Sequence, residues 1–175
     1  QLEIPLDVVV HAIDIAYASG ITILFNPAPA TPIPIETLRK VTFLIPNESE
    51  LALLSGIPIN NFSDCRKAIS HLQSLGCNQI ILTRGEHGAY YFYQDNQIFA
   101  PPFDVPVVDT TAAGDAFIGG LAAALAEDMD LHVALLRASA AGALAVTKAG
   151  AQTSLPDFTE LDDFLKKHKQ EVKTE

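Results

Sequence analysis

Short runs of β-branched and aliphatic residues recur at intervals long enough to hold a helix, and this alternation limits the folds open to the chain more than any other feature. The runs are Val8–Val10, Ile21–Phe25, Val41–Ile45 and Ile80–Thr83. Helix-like stretches lie between them, among them 12–19 and Ser63–Leu75. The second has an apolar face at Ala68, Ile69, Leu72 and Leu75, Ser63 as its cap and Gly76 as its stop. Such alternation predicts parallel βαβ units in a layered α/β fold. Further along, Ala89–Tyr93 and Gln97–Ala100 flank Asp95-Asn96 and read as a hairpin. Two long helices rich in Ala, Gly and Leu follow, over 113–126 and 132–147. A last helix over 157–167 is expected to bury Phe158, Leu161 and Leu165, and the polar tail from Lys166 to Glu175 to fray. The proline-rich segment from Asn26 to Pro32 reads as a stiff loop after a strand.

With 175 residues and 49% hydrophobic content, the chain can bury one good core, and its length argues for a single domain. A formal charge of −10 opposes broad binding to nucleic acid or to anionic membranes, both of which repel an acidic surface. No apolar run is long enough to cross a bilayer, and no basic segment with a cleavage pattern leads the chain, so a cytoplasmic protein is expected. Cys65 and Cys77 fall at opposite ends of one helix, too far apart to bridge, and read as reduced structural thiols. The five histidines form no zinc-like spacing. The chain opens on Gln1-Leu2-Glu3, in what reads as the tail of a strand, and its only methionine is Met129. That points to a portion of a longer product.

Chemistry is concentrated between Val108 and Gly120. Pro106-Val107-Val108 reads as the end of a strand, and from Gly114 the spacing of Phe117, Leu121, Ala124 and Leu125 is helical. The helix therefore begins inside a turn of small residues. Backbone N–H groups of Ala112, Ala113 and Gly114 would point out of its first turn and make a cradle for phosphate or an oxyanion, with the Asp115 carboxylate beside it. Asp and Thr before a helix are also ordinary caps, so the spacing alone leaves a structural role open. The same holds for Asn47 and Glu50, three apart after the strand Val41–Ile45, which match a capping box. In Thr83-Arg84-Gly85-Glu86-His87-Gly88, two glycines three apart allow backbone to approach a ligand, or simply to turn. Lys148 and Gly150 suit the end of a helix.

The spelling Asp109-Thr110-Thr111-Ala112-Ala113-Gly114-Asp115-Ala116-Phe117 resembles the C-terminal signature of the ribokinase-like (PfkB) family of carbohydrate kinases, many of which carry Gly-Ala-Gly-Asp here. Pro46-Asn47-Glu48-Ser49-Glu50 resembles the family's Asn-x-x-Glu motif, and Gln-Leu-Glu-Ile-Pro, Asn-Pro-Ala-Pro-Ala and Gly-Ala-Gln-Thr-Ser match further segments in order. The resemblance covers essentially the whole chain. It implies a three-layer αβα sandwich, Rossmann-like, with a mostly parallel central sheet, and with the N-terminal strands and β lid of the family missing. No Walker P-loop or other active-site motif competes with it.

The implied activity is transfer of the γ-phosphate of ATP to the primary hydroxyl of a small sugar, ribose foremost. The alternatives are another sugar kinase of the family, such as a fructokinase, or a truncated, non-catalytic nucleotide-binding module. By resemblance, Asp115 is the general base and Ala112–Gly114 the anion hole. Asn47 and the segment Thr83, Arg84, Gly85, Glu86, His87 and Gly88 meet the nucleotide, and Glu50 acts through water on Mg2+. Glu3 binds sugar hydroxyls, as Asp115 also would. Asp109, Thr111, Ala145, Lys148, Gly150 and Ser154 surround a potassium ion, largely with backbone carbonyls. Ser139 stands where the family often places His or Asn against the adenine, which is a departure. A homodimer formed through the missing lid, and an inactive isolated portion, complete the expectations.

Overall fold

A computed structural model of the protein describes residues 1–168 and 172–174. Two compact units divide them: Gln1–Thr83 with Tyr91–Gln97, and Arg84–Tyr90 with Ile98–Glu175. The first unit opens on helix α1, Leu6–Ala18. Here the sequence expectation fails twice, because Val8–Val10 is helical rather than a strand and residues 1–5 form no strand tail. Burial explains why. Val9 and Ile13, one helical turn apart, are buried while Val8 is 49% exposed, so the valine run serves one helix face instead of the interior of a sheet. Pro5 precedes the helix with φ −51°, where its missing N–H costs nothing.

Three parallel strands follow: β1 Leu24–Phe25, β2 Phe43–Leu44 and β3 Gln79–Thr83. Leu24 lies opposite Phe43, Phe25 opposite Leu44, and Leu44 opposite Ile80. Their positions match the expected runs, although β1 and β2 are shorter. A short helix the sequence did not announce, α2 Ile35–Leu38, lies between them after Pro34. Helix α3 Glu48–Ser55 packs against β3 and against α4 Phe62–Ser74, and Leu51, Cys65, Ile69 and Leu72 of the two helices are all at most 1% exposed. The cap of α4 is Asn61, whose side chain accepts the Asp64 amide, and not Ser63. Asn and Ser cap about equally well, so composition could not choose. Both cysteines are free and buried in this unit, and burial pushes the Cys77 thiol up to about 11.

Strands β4 Ala89–Tyr93 and β5 Asn96–Ala100 form the expected hairpin, turning at Gln94 with φ +53°. In the second unit, residues 101–112 carry no helix or strand, so Pro106–Val108 is not the strand end expected. Val107 and Val108 are 65% and 63% exposed, and the Val108 amide donates to the Val146 carbonyl instead of a ladder. Helices α5 Ala113–Ala126 and α6 Leu131–Ala145 pack together through small residues. A Cβ at Gly120 would lie 2.9 Å from Ala141 Cβ and 3.3 Å from Ala138 Cα, which is why this contact requires glycine.

Helix α7 Phe158–Lys167 closes the core with Leu161 and Phe164 against Phe103, Ala116 and Ala140. Phe158, expected inside, is 56% exposed and lies under the Arg137 guanidinium at 4.9 Å from its ring centre. Of the tail expected to fray, residues 169–171 and 175 lie outside the described residues, whereas Lys173–Thr174 form strand β6 against β5. The six strands are ordered β1 to β6 across the sheet, with helices between and after them. This is the α/β architecture the alternation predicted.

Candidate active site

In the first unit the candidate residues Asn47, Glu50 and Thr83 lie at the carboxyl ends of β2 and β3, where ligands of parallel sheets bind. Asn47 and Thr83 form a parallel bridge just past those ends, and the Thr83 amide donates to the Pro46 carbonyl at 3.0 Å. The capping box is formed in full: Asn47 Oδ1 accepts the Glu50 amide at 2.9 Å, and Glu50 Oε2 accepts the Asn47 amide at 2.8 Å. Asn47 Nδ2 also donates to Glu50 Oε1 at 2.9 Å, which leaves its second N–H for a ligand on the exposed side of the residue. Glu50 is only 5% exposed, and burial holds its carboxyl above the usual glutamate range despite these donors.

One partner was missed. Asn26, at the end of β1, donates to the Ile45 carbonyl at 2.9 Å and reaches Glu50 Oε2 at 3.4 Å. An Asn directly after a strand is the signal for it, but a residue opening a loop gives the same signal. Glu3 is exposed on backbone without regular structure, near where the Leu2 amide donates to the Ala28 carbonyl at 2.7 Å. A surface recess of about 330 Å³ in this unit is lined by Thr22, Lys40, Thr42 and Gln79. It lies at the opposite, amino ends of the strands, and its Lys40 is already paired with Asp14 at 2.6 Å. It is not the site.

In the second unit, Gly85–His87 form an exposed single turn of 3-10 helix closed by the Arg84 amide donating to the Gly88 carbonyl at 2.9 Å. Gly88 has φ +81°, and a Cβ there would sit 2.5 Å from the Ala100 carbonyl oxygen. That close approach is to the hairpin's own backbone, so Gly88 serves packing, whereas Gly85 faces open space. Ser139 is half-buried on α6, with its hydroxyl covered and without a partner among the described residues.

The turn before α5 keeps the expected shape with one correction. The Ala113 amide donates to the Thr110 carbonyl at 3.3 Å, so it is partly spent on closing the turn. The amides of Ala112 and Gly114 have no carbonyl partner among the described residues, as the first turn of a helix requires. Ala112 reaches this geometry with φ +60°, the left-handed region. Asp115 and Gly114 are exposed, so the carboxylate lies at the surface beside the amides and not in the apolar interior. Asp109 ties the turn down. Its Oδ1 accepts the Thr111 amide at 2.9 Å and the Thr111 hydroxyl at 2.7 Å, and its Oδ2 accepts the Gly150 amide at 3.0 Å. These bonds hold the Asp109 carboxyl down at about 2. Lys148 turns its ammonium to Glu160 at 2.8 Å, the Ala145 carbonyl accepts the Lys148 amide, and the buried Ser154 hydroxyl donates to Ala151.

A family model described as pfkB family carbohydrate kinase matches residues 1–157. The chain belongs to the pfkB family of carbohydrate kinases. Among curated pfkB relatives, the deoxyribokinase of Salmonella typhi is 39% identical over 94% of this chain and 54% of its own length. The ribokinase of Staphylococcus aureus is 36% identical over 93% and 54%. The structure of Arabidopsis thaliana ribokinase complexed with ribose and ATP superposes with a TM-score of 0.90 at 32% identity, over 95% of this chain and 54% of that one. A putative ribokinase II from E. coli in complex with ATP and Mg2+ gives 0.79 at 31%, over 93% and 54%. The chain spans about half the length of the pfkB relatives it matches. The turn before α5, the Asn47–Glu50 box and the Arg84–Gly88 turn all fall within the matched residues.

Proposed function

We propose that these residues are the nucleotide-binding and catalytic part of a ribokinase-type kinase that phosphorylates the primary hydroxyl of ribose, giving ribose 5-phosphate. The observation that carries this reading is the exposed Asp115 carboxylate next to the open amides of Ala112 and Gly114 at the start of α5. A carboxylate there can take the hydroxyl proton while the amides hold the migrating phosphoryl group, and positioning with electrostatics does most of such a transfer.

Asn47 and the segment Thr83–Gly88 are assigned to the nucleotide, with Asn47 using its remaining N–H. Glu50 is assigned to orienting the magnesium hydration shell, and Glu3 to the sugar. Asp109, Thr111, Ala145, Lys148, Gly150 and Ser154 offer carboxylate, carbonyl and hydroxyl oxygens, the donor class that potassium takes. The Asp109 bridge supports that assignment, because one side chain already joins Thr111 to Gly150. Potassium would stiffen the turn when bound. A cytoplasmic location belongs to the same reading. Deoxyribose is the second candidate acceptor, favoured by the 39% identity to a deoxyribokinase.

The test is Asp115→Asn in a protein of the relatives' full length that carries these residues, assayed with ATP against a sugar panel with and without potassium. Loss of a positioned base lowers kcat by about 10²–10⁴-fold while ATP affinity stays within a few-fold. Wild-type kcat in that variant would falsify the base assignment. The panel ranks ribose against deoxyribose and fructose by kcat/KM.

A further inference from the structure

The chain carries 21 acidic against 11 basic side chains, yet the recess at the amino ends of β1, β2 and β3 is lined by the cations Arg39 and Lys40 and by no carboxylate among the described residues. The sign of charge is reversed there. Three strand entries build it: the turn from α1 into β1 brings Thr22, the segment from α2 into β2 brings Arg39 and Lys40, and the segment from α4 into β3 brings Asn78 and Gln79. Each delivers hydrogen-bond donors to one concavity of about 330 Å³, at the small end of the range for ligand sites.

These donors are held in place without being used up. Arg39 donates from Nε to the Leu75 carbonyl and from Nη1 to Glu36 at 3.0 Å, which leaves both N–H groups of Nη2. Lys40 spends one of its three N–H groups on Asp14, at 2.6 Å. Gln79 Oε1 accepts the Tyr91 hydroxyl at 2.7 Å, so its amide is fixed through the oxygen and keeps its Nε2 donors. The Asn78 carbonyl accepts Gln73 Nε2 at 3.1 Å, which anchors that residue by its backbone and leaves its side chain exposed. Both ion pairs are open to solvent, with Glu36 71% and Asp14 45% exposed, and such pairs hold weakly enough for the cations to turn to a dianion.

We propose that this recess is a binding site for a phosphate monoester, separate from the Asn47–Glu50 box at the other ends of the strands. A phosphate monoester offers three strong acceptor oxygens and close to two negative charges, which matches donors converging from three segments better than a planar carboxylate does. Arg39, Lys40, Asn78 and Gln79 donate to those oxygens. Tyr17 and Ile21, 59% and 58% exposed on the rim, give the organic group apolar surface to cover.

The experiment titrates the full chain with glycerol 3-phosphate, with inorganic phosphate and, at equal ionic strength, with chloride, by calorimetry, and follows amide exchange of the segments 20–24, 39–44 and 77–81 by mass spectrometry. Glycerol 3-phosphate is expected to saturate and to slow exchange in those segments, and chloride to do neither. Asn78→Asp, which sets a carboxylate on an exposed side chain without a bonded partner among the described residues, and Lys40→Gln are each expected to weaken binding ~10-fold or more. Asp115→Asn is expected to leave it within about two-fold, which separates this site from the phosphoryl transfer proposed above. No saturation below about 10 mM, or binding that both recess variants leave unchanged, overturns the site. Inorganic phosphate binding as tightly as the monoester overturns the organic group as part of the ligand.

Discussion

Ala112 carries a conformational cost at the turn that opens α5. Its φ of +60° is a region where alanine is disfavoured by about 1 kcal/mol and glycine is not. Ala112→Gly is therefore expected to stabilise the fold by about 1 kcal/mol, raising Tm by roughly 2–4 °C in a calorimetric scan. A fall in Tm would mean that the methyl group makes contacts outweighing the strain. Asp109 sets a pH dependence. Its carboxyl titrates lower in the fold, at about 2, than in the unfolded chain, near 3.8, so the bonds to Thr111 and Gly150 contribute fully above the upper value and are lost as pH falls through the lower. Asp109→Asn should remove that share, flattening the drop in Tm between pH 4 and about 2 while lowering Tm at neutral pH. An unaltered acid limb in the variant would refute the assignment. At this scale the place of Asp115 in the first turn of α5 and the capping box were legible in the sequence, since helix starts follow local rules. The bond from the Ala113 amide to Thr110 was not, because a turn's closure depends on φ and ψ values that no spacing reveals.

Between elements, one polar tie is hidden from periodicity. Arg137, on the buried side of α6, donates to Asp162 Oδ1 on α7 at 2.7 Å, with side-chain exposures of 11% and 32%. It also covers Phe158, which explains how that ring tolerates the surface. Arg137→Ala is expected to cost about 3 kcal/mol, read as a lower urea midpoint, because it strands a half-buried carboxylate and uncovers the ring. The double variant Arg137→Met with Asp162→Leu should recover most of the loss. If the single variant unfolds at the wild-type midpoint, the pair contributes nothing. Periodicity failed at α7 for the same reason: Phe158 fits the helical apolar stripe, but its ring lies under Arg137 of another helix while Leu161 and Phe164 are buried. It failed at α1 because three valines in a row suit a buried strand and a half-buried helix equally well until neighbours choose.

Seen as a molecule, the chain holds its two units in different ways. The first is built on parallel strands and large aliphatic side chains such as Leu44, Ile45, Ile80 and Leu82, none of them exposed. The second rests on alanine-rich helices in close contact, with Phe103 and Phe164 filling the remaining space. Ile4, just before α1, and Val8 and Ile15 on it are each about half exposed, at 55%, 49% and 54%. The α/β class, the strands β1 to β5 and the helices α4 to α7 were readable because period and turn residues are local, whereas the full extent of α1, the short α2 and β6 were not. The division into units was not, since it depends on which distant segments share a core.

Both thiols, Cys65 and Cys77, lie in the first unit, at 0% and 2% exposure, and the second unit has none. Alkylating reagents consequently find no target in the folded chain, so the rate at which they acquire one is a clock for the opening of the aliphatic half alone. Paired with amide signals from the helical half, that clock would show whether the two halves melt as one body or in sequence.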